Sequence, residues 1–262
     1  MLESHQILKY KNKGYLVIKN FFPKKKINSL KKKVVNISKG KNNNNHFHYE
    51  KINNKKVIRR IEKIYDQPAV KKTLNQKKLN TAISKLLGGK GKLFKDKINF
   101  KLPGSVGFLP HIDGHFLWKN NKKQTMKGWN YYAKNFLNVV VPLEKSDEKN
   151  GCLFVADIDY TKKVLGSNWE EIRSNLMPRT PLIRKKLLKK IKFKPIKLNA
   201  GDILFFDWKV CHFSKKNLSS NSRIIFYLTY AKSKSSKKNI RKNYYLDKLK
   251  SKSPLKHKMA QF

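Results

Sequence analysis

The sequence has few cysteines and no long apolar run, and each absence excludes a class of protein. The two cysteines, Cys152 and Cys211, form no CxxC pair, so neither a disulfide framework nor a cysteine-rich zinc site is expected. We interpret both as small buried residues. No stretch approaches the roughly 18 apolar residues that a transmembrane helix needs. The first residues also lack the apolar block of a secretory signal, so a cytoplasmic protein is expected.

Acidic residues are also scarce, 16 against 62 basic ones, which gives a formal net charge of +46. A basic surface can bind nucleic acid through its phosphates. Only seven of the basic residues are arginine, however, and arginine is what base reading and two-pronged phosphate binding favour. The lysines are spread along the whole chain. We therefore expect no specific nucleic-acid partner, and a solvated lysine surface that reflects coding bias; an anionic substrate stays open.

The remaining composition, 39% hydrophobic and 11% aromatic, is sufficient for one packed domain spanning residues 1–262. Residues 1–91 are predicted to be a mainly helical N-terminal support. Its predicted elements are a strand at 13–20, helices at 23–38, 68–76 and 79–87, and a hairpin at 48–61 that turns at Asn53-Asn54.

From Lys92 the pattern changes to short strands separated by turn residues such as Pro103-Gly104 and Asn150-Gly151. Strands are predicted at 93–101, 107–113, 136–143, 152–156, 193–198, 202–208, 210–214 and 222–231. This pattern predicts a mainly β fold with flanking helices, namely a jelly roll over 92–231 with a helical insertion at about 160–192. The basic tail, 232–262, contains apolar residues that could form a docking helix face: Ile240, Tyr244, Tyr245 and Leu249.

Three residues are candidate metal ligands. His111 and Asp113 alternate on a predicted strand, so both side chains should point to one face of the sheet. His212, at the end of a later strand, can supply the third ligand. Two histidines and one carboxylate on one face of a metal leave the opposite positions open, which is the pattern of non-haem iron(II) oxygenases.

A second group of residues suits an anionic cosubstrate. Ser214 shares the face of His212 by strand alternation, and Arg223 follows at the start of the next apolar strand. A turn between these strands lets Arg223 lie deep beside the metal, where its planar fork suits a carboxylate. Asn138 and Lys101 could face the same cavity as further cofactor-binding residues, or they could be ordinary polar residues of a strand.

Four motifs occur in one order along most of the chain: Gly14 to Phe22, Pro110 to Gly114, Val140 to Leu153, and Ala200 to Arg223. Together they resemble the phytanoyl-CoA dioxygenase family of iron(II)- and 2-oxoglutarate-dependent oxygenases. The resemblance implies a double-stranded β-helix that holds the metal and cosubstrate inside its open end. The expected cofactors are Fe(II), 2-oxoglutarate and O2.

The resemblance also assigns roles to single residues. His111, Asp113 and His212 match the iron ligands of the family. Arg223 matches the arginine that pairs with the distal carboxylate of 2-oxoglutarate, and Ser214 matches a hydroxyl that assists it. An aspartate at position 113 implies hydroxylation, because halogenating relatives have a small residue there. The expected activity is therefore hydroxylation of a small-molecule C–H bond.

The chain departs from the family after Leu153, where the usual Pro-Gly-Ser-His run is missing, so the substrate cannot be inferred from the family name. An aromatic cluster in the 115–135 loop could line a substrate pocket or cap the barrel end. Two other functions remain open. The chain could be a metal-binding jelly roll without oxygenase activity, such as a cupin-like isomerase, or a basic nucleic-acid-binding protein.

Overall fold

The computed structural model describes residues 2–40, 46–114, 117–119, 123–165, 183 and 185–250. Its helices are α1 Ser4–Lys13, α2 Lys24–Lys39, α3 Pro68–Leu74, α4 Lys77–Leu87, α5 Ile158–Leu165, α6 Lys185–Leu188 and α7 Ile240–Lys250. Its strands are β1 Tyr15–Ile18, β2 His46–Ile52, β3 Lys55–Glu62, β4 Gly91–Lys101, β5 Phe108–His111, β6 Leu117–Lys119, β7 Thr125–Lys127, β8 Phe136–Pro142, β9 Leu153–Val155, β10 Lys194–Ile196, β11 Ile203–Asp207, β12 His212–Ser214 and β13 Arg223–Lys232. None of the described helices is long and apolar enough to cross a bilayer.

Two antiparallel sheets form the body of the fold. The larger sheet has the strand order β1-β11-β8-β13-β4-β3-β2, and the smaller has the order β10-β9-β12-β5. A separate hairpin pairs β6 with β7. From β4 onwards the chain passes back and forth between the two sheets, with β4, β8, β11 and β13 in the larger sheet and β5, β9, β10 and β12 in the smaller, as in a double-stranded β-helix. The predicted fold class, a mainly β jelly roll with flanking helices, is confirmed.

The two faces of the larger sheet have opposite character. Even-numbered residues of β4 and β13, such as Ile98 and Phe226, join a core shared with residues of α2 and α4, including Leu30 and Leu79. Odd-numbered residues of the same strands point away from these helices, because strand side chains alternate. The helical support therefore covers one face of the larger sheet, and the polar residues of the other face line the interior.

Most predicted elements agree with the structure. The hairpin of β2 and β3 turns at Asn53 and Asn54, whose φ angles of 47° and 62° are those of a tight turn with two left-handed residues. Helix α1 was not predicted. Of the predicted helical insertion, the structure describes α5, Ile183 and 185–192, and the rest lies outside the described residues.

The C-terminal segment docks as a helix, which confirms that prediction for three of its four apolar residues. Ile240, Tyr244 and Tyr245 of α7 are buried; the side chain of Leu249 lies outside the described set. The Tyr245 hydroxyl accepts a hydrogen bond from the backbone N–H of Asp96 at 3.2 Å. Helix α7 thereby packs against the middle of β4.

Candidate metal centre

His111 and His212 occupy facing positions on the paired strands β5 and β12 of the smaller sheet. Their ring centroids lie 4.2 Å apart. Each Nδ1 contacts a backbone carbonyl two residues upstream, at Leu109 (2.6 Å) and Val210 (2.9 Å). A carbonyl oxygen can only accept, so each Nδ1 carries the proton and each Nε2 keeps its lone pair for a metal.

Asp113 reaches the same point by a route that the sequence pattern did not predict. Strand β5 ends at His111, and Asp113 lies in the turn that follows, next to Gly114. The expectation that strand alternation brings the two side chains together was therefore wrong, although they do converge. Gly114 has a φ of 74°, and a Cβ there would lie 3.0 Å from the rings of Trp129 and Trp208. The turn that presents Asp113 thus depends on this glycine.

The three side chains form a set of metal donors. One ligand atom each from His111, Asp113 and His212 lies within 4.8 Å of the other two. Two imidazole nitrogens and one carboxylate oxygen are the donor set of non-haem iron(II) sites, and three ligands leave coordination positions for other molecules. The residues present therefore fit a bound Fe(II).

Asn138 and Thr229 hold the carboxylate of Asp113 in place. The Asn138 amide donates to Asp113 Oδ2 at 2.8 Å, and the Thr229 hydroxyl donates to Asn138 Oδ1 at 2.7 Å. Asn138 is 4% exposed and lines the cavity, which is one of the two alternatives that the sequence left open. Its amide is engaged with a candidate ligand, however, so it supports the metal centre directly.

Electrostatics favour the metal-binding forms of all three residues. Burial, and then the neighbouring His212, lower the pKa of His111 to about 3. Burial also lowers the pKa of His212. Burial opposes ionisation of Asp113, but the Lys95 charge and then the histidines outweigh it, and its pKa falls to about 2. Both histidines are therefore neutral and Asp113 is ionised near neutral pH.

A group of buried basic residues lies beyond Ser214. Arg223 is 1% exposed and donates through Nη1 to the Gly151 carbonyl at 2.8 Å. Lys101, opposite Arg223 in the strand register, donates to Ser214 Oγ at 3.0 Å and to the Lys215 carbonyl. Burial, followed by the charge of Arg223, lowers the pKa of Lys101 to about 5. The structure thus brings Lys101, Ser214 and Arg223 together, with Ser214 in the cavity lining and Lys101 behind it.

Arg59 completes this group and was missed by the sequence analysis. It is fully buried, lies 3.5 Å from the Glu50 carboxylate through Nη1, and donates through Nη2 to the Val106 carbonyl at 2.7 Å. In the described part of the chain, the buried Nε atoms of both Arg59 and Arg223 have no hydrogen-bond acceptor. A pair of such donors is available to an anionic ligand.

Lys95 and Lys97 were also missed, although their alternation with Lys101 on a predicted strand was visible. Both line the cavity beside the metal centre. Lys95 Nζ lies 3.8 Å from the centre of the Trp129 ring, and Lys97 Nζ lies 5.2 Å from that of Tyr227. Burial is the largest influence on both and lowers their pKa values to about 7 and about 8.

The cavity is narrow and holds about 40 Å³ of free space. Its lining includes His111, Asp113, His212, Ser214 and Tyr227. Arg223 and Lys101 are not part of the lining and lie deeper, in contact with residues that are. The two cysteines, Cys152 and Cys211, are buried and free, as interpreted from the sequence.

The aromatic residues of the 115–135 loop divide between the described and undescribed parts of the chain. Trp129 and Tyr132 are buried in a cluster with Phe94, Phe136 and Tyr244, so they cap the barrel end. Phe116 and the side chain of Trp118 lie outside the described residues. Lys95, which lines the cavity, lies over the face of the Trp129 ring, so this aromatic cluster borders the cavity.

Residues 10–225 match the phytanoyl-CoA dioxygenase (PhyH) family, and the chain belongs to this family of dioxygenases. It is 29% identical over 194 residues to the 2-aminoethylphosphonate dioxygenase of uncultured bacterium HF130_AEPn_1, covering 74% of this chain and 65% of that protein. It is 23% identical to the methylphosphonate hydroxylase of Gimesia maris, covering 95% and 88%.

Solved structures support the fold. EctD from S. alaskensis, determined with 2-oxoglutarate and 5-hydroxyectoine, matches with a TM-score of 0.67 at 17% identity, covering 91% of this chain and 79% of that one. The epimerase SnoN, in complex with Fe3+, alpha ketoglutarate and nogalamycin RO, matches with a TM-score of 0.66 at 14% identity, covering 87% and 83%. At these identities the likeness shows a shared architecture.

Proposed function

We propose that the chain is an iron(II)- and 2-oxoglutarate-dependent dioxygenase that hydroxylates a C–H bond of a small molecule. The observation that carries this proposal is the convergence of His111, Asp113 and His212, whose ligand atoms lie within 4.8 Å of one another. When bound, iron(II) together with 2-oxoglutarate and O2 supplies oxidising power for the C–H bond, and 2-oxoglutarate is released as succinate and CO2.

The protein contributes a prepared ligand set. His111 and His212 are held by their Nδ1 contacts with the backbone, and Asp113 by Asn138, so the donor atoms need little rearrangement on metal binding. Buried partners of this kind orient metal ligands and fix the tautomer of each histidine. One carboxylate leaves the ferrous site with a net charge of +1, which suits an anionic cosubstrate.

Arg223 is proposed to bind the distal carboxylate of 2-oxoglutarate, with Ser214 and Lys101 beside it. Its guanidinium is desolvated and only partly satisfied, and an isolated buried charge is costly unless an anion pairs with it. Ser214 lies two residues from His212 on one face of β12, about 7 Å along the strand. A short diacid can therefore extend from the metal towards this group of cations.

Hydroxylation is favoured over other oxidations by two observations. Asp113 completes the ligand set with a carboxylate, and one of the relatives, at 23% identity, is named a methylphosphonate hydroxylase, while two others are named dioxygenases. An epimerase shares the fold, so the fold alone does not select the reaction.

A metal-binding jelly roll without oxygenase activity is the second candidate. It accounts for the three metal ligands but gives no role to the buried basic residues Arg223, Lys101 and Arg59. A nucleic-acid-binding role rests on the net charge alone, and the cavity gives it no further support.

The test is a screen for substrate-stimulated succinate release by the iron-loaded protein. The screen covers small phosphonates, phosphates, carboxylates and neutral amides, each with and without 2-oxoglutarate. A hydroxylated product formed in step with succinate supports the proposal. Turnover that does not depend on 2-oxoglutarate would favour the second candidate.

A further inference from the structure

We propose that the substrate carries a tetrahedral phosphorus oxyanion, a phosphonate or phosphate monoester, and that Lys95 and Lys97 bind this group beside the metal centre. This inference rests on the proposed function, because it names the substrate class of the same site. It assigns a specificity role to two residues for which neither the sequence motifs nor the family resemblance gives a function.

Position is the first support. Lys95 lies opposite Thr229 in the register of β4 and β13, and Thr229 is hydrogen-bonded through Asn138 to Asp113. This chain of contacts places Lys95 at the level of the metal ligands. Lys97 lies opposite Tyr227, two residues further along the same cavity-lining face. Both lysines thus border the cavity that the metal ligands also line.

The basic residues between the two sheets form two separate groups. Arg223 and Lys101 face each other at one end of the strand pair, and Arg59 lies with them. Lys97 and Lys95 lie four and six residues from Lys101, about 13 and 20 Å along the strand. In the proposed function, 2-oxoglutarate extends from the metal to Arg223. It therefore does not reach Lys95 and Lys97, and this second group is available to a different ligand.

Neither lysine forms a close ion pair in the described part of the chain, although the charge of Lys95 acts on Asp113. In the part of the chain that the structure describes, neither ammonium has a carboxylate within 4.0 Å, and their closest aromatic contacts are the rings of Trp129 and Tyr227. Other buried cations nearby are paired, such as Arg60 and Lys248 with Glu62. A partly buried ammonium pair without a counter-ion is costly, so the cavity is prepared for an anion.

The charge of the loaded site indicates a dianion. The nearest carboxylate, Asp113, is used by the metal centre, and Glu62 is already shared by two cations. Iron(II), Asp113 and the metal-proximal carboxylate of 2-oxoglutarate sum to zero, and Arg223 balances the distal carboxylate. The amines of Lys95 and Lys97 then remain, and because burial lowers their pKa values to about 7 and about 8, a bound anion would hold both in the ammonium form. A phosphonate or phosphate dianion balances both and offers three oxygens for their N–H donors.

The experiment is anaerobic calorimetry on the protein loaded with Fe(II) and 2-oxoglutarate, using methylphosphonate, methyl phosphate, acetate and the uncharged ester dimethyl methylphosphonate as probes. We expect the two phosphorus oxyanions to bind, acetate to bind more weakly, and the ester not to bind. Methylphosphonate and methyl phosphate in separate titrations distinguish the two sources of this head group. Exclusive binding of acetate, or equal binding of the ester, would overturn the proposal.

Variants locate the binding. Lys95→Met and Lys97→Met should each weaken methylphosphonate binding by roughly tenfold to a hundredfold, the range for losing one charge-assisted contact. The arginine variants at the same positions should recover part of it. Lys92→Met is the matched control, because Lys92 is exposed on the same strand. Unchanged methylphosphonate affinity in both methionine variants contradicts the inference.

Titration of 2-oxoglutarate in the same samples separates the two proposals. If 2-oxoglutarate binds normally and no phosphorus oxyanion binds, the substrate inference fails and the proposed function stands. If the wild-type protein does not bind 2-oxoglutarate, the proposed function fails and this inference fails with it.

Discussion

His111 and His212 face each other across two antiparallel strands, with ring centroids 4.2 Å apart and each Nδ1 bound to a backbone carbonyl. The strand register alone therefore sets the distance between two of the three candidate ligands. The third, Asp113, comes from a turn and depends on side-chain support. This difference predicts that substitutions which remove the support of Asp113 should weaken metal binding.

Asn138→Ala should weaken metal binding by roughly 10- to 100-fold, the usual cost of removing a hydrogen-bonded support of a metal ligand. Asp113 loses the amide that fixes its Oδ2, while both histidines keep their backbone contacts. Metal titration followed by visible absorption with Co(II) measures the change. Thr229→Val is the graded control, since it removes only the hydrogen bond that orients Asn138, and its effect should be smaller. Wild-type affinity in Asn138→Ala would show that Asp113 needs no such support.

Arg223→Ala should leave iron binding nearly intact and weaken 2-oxoglutarate binding by about 2–5 kcal/mol, as expected for removing one partner of a buried charge pair. Arg223→Lys should recover part of the affinity, because it restores the charge without the two-pronged geometry. Calorimetry measures both effects, and Lys216→Ala, at an exposed lysine just after Ser214, is the control. If Arg223→Ala binds 2-oxoglutarate as tightly as the wild type, Arg223 does not bind this cosubstrate.

Glu62→Gln should lower the free energy of unfolding by about 3–5 kcal/mol, because it leaves two buried cations without their carboxylate. Glu62 contacts Arg60 at 3.1 Å and also Lys248 of helix α7. Urea denaturation measures the loss. Lys197→Met, which breaks an exposed pair with Glu148, should change little. An equally small change in Glu62→Gln would mean that the contacts of Glu62 with Arg60 and Lys248 do not stabilise the docking of α7.

The ion pairs of Glu62 with Arg60 and Lys248 also predict how the stability of the fold depends on pH. Burial raises the pKa of Glu62, but the charges of Arg60 and Lys248 outweigh it and hold the pKa well below 4.5. A depressed carboxylate pKa stabilises the folded state above the unfolded pKa. Wild-type stability should therefore fall as the pH drops below about 4.5, towards the folded-state pKa of Glu62. In Glu62→Gln the free energy of unfolding should fall less steeply over this pH range, because the titrating carboxylate is absent.

Local signals were enough to predict much of the fold and the site. Strand alternation and turn residues located most strands, and the Asn53-Asn54 turn was visible because few residue types adopt two consecutive left-handed conformations. His212, Ser214 and Arg223 were predicted to converge because strand periodicity and one turn determine their positions. The route of Asp113 was not predictable in this way, since a turn can present its side chain without alternation.

What could not be predicted depends on tertiary context. Helix α1 has a weak apolar pattern, and it is held mainly by burial of Tyr10 and by contacts that form only in the fold. In a chain with so many lysines, Lys95 and Lys97 do not differ from solvated lysines until the second sheet and the Trp129 loop cover them. The pairing of Arg59 with Glu50 likewise requires the β2–β3 hairpin to lie against the cavity.

The most direct test of the account is an anaerobic titration of the protein with Fe(II) and then 2-oxoglutarate, followed by visible absorption. The account predicts a weak charge-transfer band that appears only when both are present, because the cosubstrate then chelates iron held by His111, Asp113 and His212. His111→Ala and Asp113→Ala should abolish the band and keep a wild-type circular-dichroism spectrum. A folded wild-type protein that binds no divalent metal, or a band unchanged in both variants, would contradict it.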